Sequence, residues 1–379
     1  MTISKITKFA LVGLVTGMIT GLAGADTNTD LQERLARAEA RIAELSTNQN
    51  TNWLNDQRAE ETRQLVHDVL ADADSRASMA GNGSPVTVNV HGFVQTRWQY
   101  NDIKTDGVDT THGFNVPRTR LEFSGDLYDW GYKVSGQWND GGNFTLMDAY
   151  ADWGNFRVGQ FKSPFMKEVL TAQTDTLATE RSVIASQFGQ GRSQGIQYGY
   201  NTAFGGVSVA YTDGFNTANG AGVQNGYALT GRLDVNAVDW LDFGVAFSHN
   251  DLDTTDYNTW TADATFSAGD FDFTGAYVAT IDDTNGDNWG TVWTASYDVT
   301  DKAQLFGQYE IGHLEGVETD LKIATFGVNY AFNDNVKWTT DVGYAFDSVD
   351  AGWNLGTTGW NTTANEGETL IRSQIQVRF

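Results

Sequence analysis

Cysteine is absent from the 379 residues, proline occurs three times and histidine five times. Without cysteine there is no disulfide framework, so a chain bound for the cell exterior must be held by another device. A sheet closed on itself is one, because every strand is then paired on both edges. Basic residues are also scarce, 24 Lys and Arg against 48 Asp and Glu, for a formal charge of −24. That balance excludes nucleic acid as a partner, which would need a basic footprint. Apolar runs are short as well. After residue 22 none approaches the roughly 18 residues that a membrane-crossing helix requires, so any insertion into a bilayer has to use strands.

The one apolar run that does occur, Phe9 to Leu22, follows Lys5 and Lys8 and ends in Ala23-Gly24-Ala25. A positive n-region, a short apolar stretch and an A-x-A site form a secretory signal over residues 1–25, with the mature chain expected from Asp26. Residues 26–80 are helical in pattern. Leu31, Leu35, Ala38, Ile42 and Leu45 are spaced 4, 3, 4 and 3, a heptad seam. The seam reads either as a short coiled coil joining three copies or reaching towards the cell wall, or as an amphipathic helix lying on its own chain. Residues 81–85, Gly-Asn-Gly-Ser-Pro, break the pattern as a linker.

From residue 86 to 379 the period becomes two. Leu241, Phe243, Val245 and Phe247 alternate with Asp242, Gly244, Ala246 and Ser248, and the terminal run Ile371 to Phe379 alternates likewise. One face therefore meets an apolar medium and the other a polar one. Strands are expected at about 86–100, 113–126, 130–139, 143–152, 155–161, 192–201, 204–212, 225–235, 239–249, 257–267, 270–280, 288–299, 303–312, 320–332, 335–346 and 368–379, sixteen in all. The links alternate short turns with longer polar loops, the habit of outer-membrane barrels. With 41 glycines, 12% aromatics and Trp130, Trp153, Trp240, Trp289 and Trp338 near strand ends, the expectation is an all-β fold. It is a 16-stranded antiparallel transmembrane barrel with an N-terminal helical or coiled-coil segment and aromatic girdles. Such a barrel sits in the bacterial outer membrane against lipid, its helical segment in the periplasm.

Three blocks carry a family resemblance. They are Arg118-Thr119-Arg120-Leu121-Glu122-Phe123 with Trp130-Gly131-Tyr132-Lys133, Asp148-Ala149-Tyr150-Ala151-Asp152 running into Arg157 to Phe165, and Glu180-Arg181-Ser182. Together they resemble the phosphate-selective porin O and P family of outer-membrane channels. The resemblance implies a homotrimer, passage of small hydrophilic solutes and ions with an anion preference, and a long loop, residues 162–192, folded inward as a constriction. The terminal Phe379 resembles the insertion signal of such barrels.

Alternation places Arg97, Arg118, Arg120, Glu122, Lys133, Arg157, Arg372 and Arg378 on the pore wall, and the inward loop that the resemblance implies adds Lys162, Lys167, Glu168, Asp175, Glu180 and Arg181 to the constriction. The later strands carry Asp234, Asp242, Asp263, Asp272, Glu310 and Asp341 at inward positions. A basic wall facing acids across a water channel would set up a transverse field; in the alternative, wall charges pair locally. Catalysis finds no support: none of the five histidines sits in a metal or nucleophile motif. No cofactor or bound metal is expected. The run Asp282-Asp283-Thr284-Asn285-Gly286-Asp287 lacks EF-hand spacing, which leaves only a loose calcium bridge between acidic loops as a metal reading. The alternative to a channel is a structural tether, with the helical segment contacting the cell wall.

Overall fold

A computed structural model of the chain describes residues 36, 37, 39, 40, 86–103, 110–220, 226–252, 255–282, 286–362 and 367–379. The chain divides into two units, Met1–Ala77 and Ser78–Phe379. In the first, Ala36, Arg37, Glu39 and Ala40 are helical and exposed. The signal segment, the rest of the heptad seam and the linker lie outside the described residues.

The second unit is a closed barrel of sixteen strands in chain order, with the last strand paired to the first. They are β1 (Asn89–Ile103), β2 (Thr111–Leu127), β3 (Trp130–Asn139), β4 (Phe144–Trp153), β5 (Phe156–Lys162), β6 (Arg192–Thr202), β7 (Gly205–Thr212) and β8 (Tyr227–Val238), followed by β9 (Leu241–Leu252), β10 (Thr255–Ala268), β11 (Phe271–Asp282), β12 (Gly286–Thr300), β13 (Ala303–His313), β14 (Leu321–Asn333), β15 (Val336–Ala345) and β16 (Glu368–Arg378). All neighbours are antiparallel. Each expected strand has its counterpart. Two links expected to be long loops are not: β9 runs on to Leu252 and β10 starts at Thr255, and β11 runs to Asp282 before β12 starts at Gly286. Of the acidic residues read there as loop, Asp251, Asp256, Asp282 and Asp287 continue the ladder, with Asp256 opposite Asp251 and Asp287 opposite Ile281. Beyond the membrane both faces of a strand are wet, so polarity no longer marks where a strand stops.

The alternation sorts residues inside out relative to a soluble domain. Phe243, Val245, Phe247, Leu229, Leu233 and Trp293 are exposed on the outer wall, whereas Gln95, Thr230, Ser248, Asn250 and Gln376 are buried within. Trp130 and Trp153 stack at 6.0 Å beside two of the short turns, and Trp240 meets Phe266 edge-on at 5.7 Å. Trp289 stacks on Tyr277 and His313 at the opposite end. Aromatic pairs therefore mark both rims.

The β1–β16 ladder closes the barrel, and its lower end is tight at one glycine. Gly92 of β1 exchanges backbone hydrogen bonds with Phe379 (2.9 and 3.0 Å). A Cβ at this position would lie 2.6 Å from the Phe379 ring and 2.7 Å from the Arg120 carbonyl oxygen. Gly92→Leu is expected to cost about 1–3 kcal/mol by overpacking, read as a lower thermal midpoint and a smaller heat shift on semi-native gels.

Wall height varies. β1 and β2 have 15 and 17 residues, but β3, β4 and β5 have 10, 10 and 7. A bulge sets two residues, Val116 and Pro117, against Thr96, between the pairs Asn115–Arg97 and Arg118–Gln95. Proline fits there because a bulge does not need its missing N–H.

Candidate functional site

The segment from 163 to 191, between β5 and β6, crosses the barrel interior. It carries two short helices, α1 (Lys167–Leu170) and α2 (Val183–Phe188). Its sequence explains why it turns inward. Phe165, Met166, Val169, Val183, Ile184, Ala185 and Phe188 supply an apolar side that finds an apolar stretch of the inner wall. They pack with wall residues Ala246, Val278, Val292, Leu321, Ile323, Ala345 and Leu370, and with Leu314, Val349, Trp353 and Trp360. The last loop, after β15, thus folds in beside the constriction segment. The two share one apolar core on the β9–β16 side, which leaves the water path to the β1–β8 side.

Polar contacts fix the segment at both ends and along its length. Lys162 donates from Nζ to the carbonyl of Val169 at 2.6 Å. Arg181 donates to the carbonyls of Glu168 and Thr171 at 2.9 and 2.7 Å and to Gln173 Oε1 at 2.6 Å. Two cations thereby wrap the carbonyl end of α1, where the helix dipole favours positive charge. Burial pulls the Arg181 guanidinium below its usual value, with the nearby Glu168 carboxylate opposing. Ser182 caps α2, its hydroxyl accepting from Ala185 N at 2.9 Å. Glu168 accepts from the backbone N–H and the hydroxyl of Ser182, both at 2.7 Å. Burial pushes the Glu168 carboxyl up, against the pull of those bonds and of Arg181. From the far wall, Glu310 accepts from Val183 N at 2.7 Å and Asp341 from Thr179 N at 2.8 Å. Lys337 donates to the carbonyls of Thr174 and Thr176 at 2.9 and 3.0 Å, and Lys167 reaches Thr265 Oγ1 at 2.6 Å.

Glu180 is the central anchor. Arg97 and Arg118 both pair with it, Arg118 at 2.6 Å. Burial alone would raise this carboxyl, but Arg118 and Arg97 beside it hold it at about 2. Arg97, Arg118 and Arg372 are 1%, 7% and 3% exposed. The structure places them behind the constriction segment, with Arg372 on Asp341 at 2.7 Å, rather than on open water. Of the acids expected across the channel, Asp341 and Glu310 hold the segment, and Asp263 joins Asp234 around Arg232.

A cavity of about 530 Å³ opens on the side of the short turns. Seven cations line it (Arg120, Lys133, Arg157, Lys162, Arg192, Arg232, Arg378) against three carboxylates (Glu122, Asp148, Asp234). Six of the predicted site residues, Arg120, Glu122, Lys133, Arg157, Lys162 and Arg378, come together here. Several are paired: Lys133 with Glu122 at 2.7 Å, Arg157 with Asp152 at 2.8 Å, and Arg378 with Asp175 at 3.2 Å. Arg120 instead donates to Gln137 Oε1 at 2.6 Å and lies over the Phe93 ring. Sequence reasoning passed over Arg192, which clamps Asp148 at 2.7 and 2.9 Å, and the inward course of the last loop. Trp353 and Trp360, two large apolar residues in an otherwise polar loop, were the available signal for the latter.

Among the described residues no group of three or more His, Cys, Asp or Glu is arranged to hold a metal ion. Ser248 and His249 point to different surroundings, Ser248 to Thr230 inside and His249 to Asn258.

The profile of the Gram-negative porin family matches residues 69–351. Outer membrane protein U of Vibrio parahaemolyticus is 26% identical over 255 residues, 63% of this chain and 72% of that protein. Among solved structures, an anion-selective porin from Comamonas acidovorans superposes with a TM-score of 0.64 at 16% identity, over 78% of this chain and all of that one. OmpF of Salmonella typhi in complex with daunomycin gives 0.60 at 12% identity, covering 78% and 98%. The trimer form of OmpT from Vibrio cholerae gives 0.55 at 14% identity, covering 78% and 99%.

Proposed function

The chain belongs to the Gram-negative porin family, and from that premise we propose that it is an anion-preferring homotrimeric diffusion channel. As a porin it is an outer-membrane channel and not an enzyme. Small hydrophilic solutes pass on the β1–β8 side, between the wall and the constriction segment. The observation that carries the anion preference is the cavity with seven cations and three carboxylates in a chain of net charge −24. Asp152, Asp175 and Asp263 offset Arg157, Arg378 and Arg232 at short range, so the excess rests on Arg120 and Lys162, whose hydrogen-bond partners are neutral, and such charge in a narrow, low-dielectric passage raises the local anion concentration.

Arg120 is the cation of this set best placed to act on solutes, because its hydrogen-bond partner is a neutral amide. Arg97, Arg118 and Arg372 serve the passage indirectly by fixing the segment that narrows it. The likeness to phosphate-selective porins fits this charge pattern. So does the similarity in fold to the anion-selective porin of Comamonas acidovorans. The trimeric OmpT form supports the homotrimer.

Zero-current potentials in planar bilayers under a KCl gradient test the reading. The wild type is expected to favour chloride, and Arg120→Glu, a change of two charges at the wall, to move the potential towards the potassium value. A wild-type preference for potassium would overturn the anion reading.

A further inference from the structure

The outer wall is hollowed over β9–β12, where a groove of about 480 Å³ opens. Its floor is made of small residues, Ala262 and Ala264 of β10 and Gly275 of β11. Their neighbours in register are large and apolar. Ala264 lies between Phe243 and Gly275, Ala262 between Val245 and Tyr277, and Gly275 beside Trp293. Along β10 itself the floor ends at Phe266 below and Trp260 above, both exposed on the outer face. The Trp293 ring stacks on Phe273 at 5.8 Å and lies over Gly275, where a Cβ would come within 2.5 Å of it. Glycine thus gives that ring its place along the groove.

Depth decides what can enter. Ala264 and Ala262 stand four and six residues above Ala268, where β10 ends at a short turn. At about 3.4 Å per residue and a tilt of about 40°, the floor lies about 10–16 Å up the wall. That is within one leaflet of a hydrocarbon layer about 30 Å thick, and short turns make it the periplasmic leaflet. Water does not fill an apolar hollow, and an empty one forfeits the dispersion contacts of its lining. What reaches the groove from that leaflet is an acyl chain.

Charge decides which lipid. The three short turns that join β8 to β9, β10 to β11 and β12 to β13, with the strand ends beside them, carry Asp239, Asp242, Asp270, Asp272, Asp298 and Asp301 against Lys302. Asp239, Asp270 and Asp301 sit in the turns themselves and are exposed. We infer that the groove holds an acyl chain of a periplasmic-leaflet phospholipid whose ammonium headgroup lies against these acidic turns, a lipid of the phosphatidylethanolamine type. A phosphatidylglycerol headgroup has no cation to offer and meets repulsion there. Inward residues of the same strands, Ala246, Val278 and Val292, back the constriction segment. A chain in the groove therefore completes the packing of the wall that supports the constriction, whichever ion the channel prefers.

Native mass spectrometry of delipidated protein, titrated in mixed micelles with phosphatidylethanolamine or phosphatidylglycerol, tests this. The wild type is expected to bind phosphatidylethanolamine about fivefold more tightly than phosphatidylglycerol. Ala264→Phe fills the groove from the lipid side and should weaken that binding about tenfold, the worth of roughly two buried methylenes. Val209→Phe, on the outer face of β7, should leave it unchanged. Asp239→Lys/Asp270→Lys/Asp301→Lys should keep lipid binding and turn the preference to phosphatidylglycerol. The heat shift on gels confirms a folded barrel in each variant, and should Ala264→Phe not fold, the turn variant alone decides. Binding untouched by Ala264→Phe, a turn variant with the wild-type preference, or a wild type that prefers phosphatidylglycerol overturns the inference. So does lipid that leaves only when copies of the chain separate, since it then lies between copies and not in the groove.

Discussion

Glu180→Ala is expected to lower the stability of the folded barrel by about 3–5 kcal/mol, the usual cost of removing one partner from a buried charge cluster. The loss comes from what stays behind. Arg97 and Arg118, 1% and 7% exposed, would face each other with no counter-charge, and water reaches neither easily. Thr357, whose hydroxyl donates to Glu180 at 3.0 Å and accepts from Arg118, would lose its acceptor too. Since Glu180 joins the constriction segment to β1, β2 and the last loop, the same change should make single-channel currents noisy and larger on average. Replacing the cluster as a unit, with Arg97→Met, Arg118→Leu and Glu180→Met, should recover most of the stability, because apolar groups of similar volume carry no desolvation cost. A Glu180→Ala protein as stable as wild type would show that the cluster is hydrated and that Glu180 is not the anchor.

The same carboxylate sets an acid limit. Its value in the fold, about 2, lies below the roughly 4.3 of an unfolded glutamate. A depressed carboxyl favours the fold at all pH above the unfolded value and loses that contribution as pH falls through the folded one. Glu180 therefore contributes no pH dependence between 7 and 5, and its share of stability drains away only from about 4.3 down through about 2.

The barrel was legible in the sequence because lipid outside and water inside impose a period of two on every strand, and a period needs no knowledge of neighbours. Leu241 to Ser248 shows it directly, and the short turns at Asp129 or Gly154 punctuate it. Strand ends above the membrane were not legible, as at Asp251 and Asp287, because there both faces are polar and the period disappears. The charged interior was half legible. Alternation correctly turns Arg97, Arg118, Arg120, Lys133 and Arg157 inward, but being inward is not the same as meeting water. What separates Arg97 from Arg120 is a segment from another part of the chain: Glu180, 83 residues away, covers the first and leaves the second on the cavity. Local pattern carries no information about such a contact. Nor does it show that Trp353 and Trp360 leave the polar loop around them to join Ile184 and Phe188.

Those two tryptophans make the last loop a structural member of the pore, and removing residues 350–361 should therefore enlarge it. Trp353 is 3% and Trp360 7% exposed, and Trp353 meets Phe188 edge-on at 6.3 Å. Asn354 donates to Gln187 Oε1 at 2.7 Å and to the carbonyl of Ser186 at 3.0 Å, while Arg372 and Asn101 donate to the carbonyls of Thr358 and Gly359 at 2.7 and 2.9 Å. The loop thus ties α2 from above to β1 and β16. Truncating each tryptophan to alanine should cost about 3–5 kcal/mol in lost burial and cavity. That loss falls on the inner core and not on the ladder, whose strand pairs do not involve these side chains. Excising 350–361 should leave a heat-shifting barrel of unchanged strand content by circular dichroism, with higher conductance and weaker ion discrimination, since α2 would lose its contacts with this loop and keep only those with Glu310, Glu168 and the apolar wall. An excised variant with wild-type conductance would mean that the wall contacts suffice to hold the constriction and that the loop only caps it.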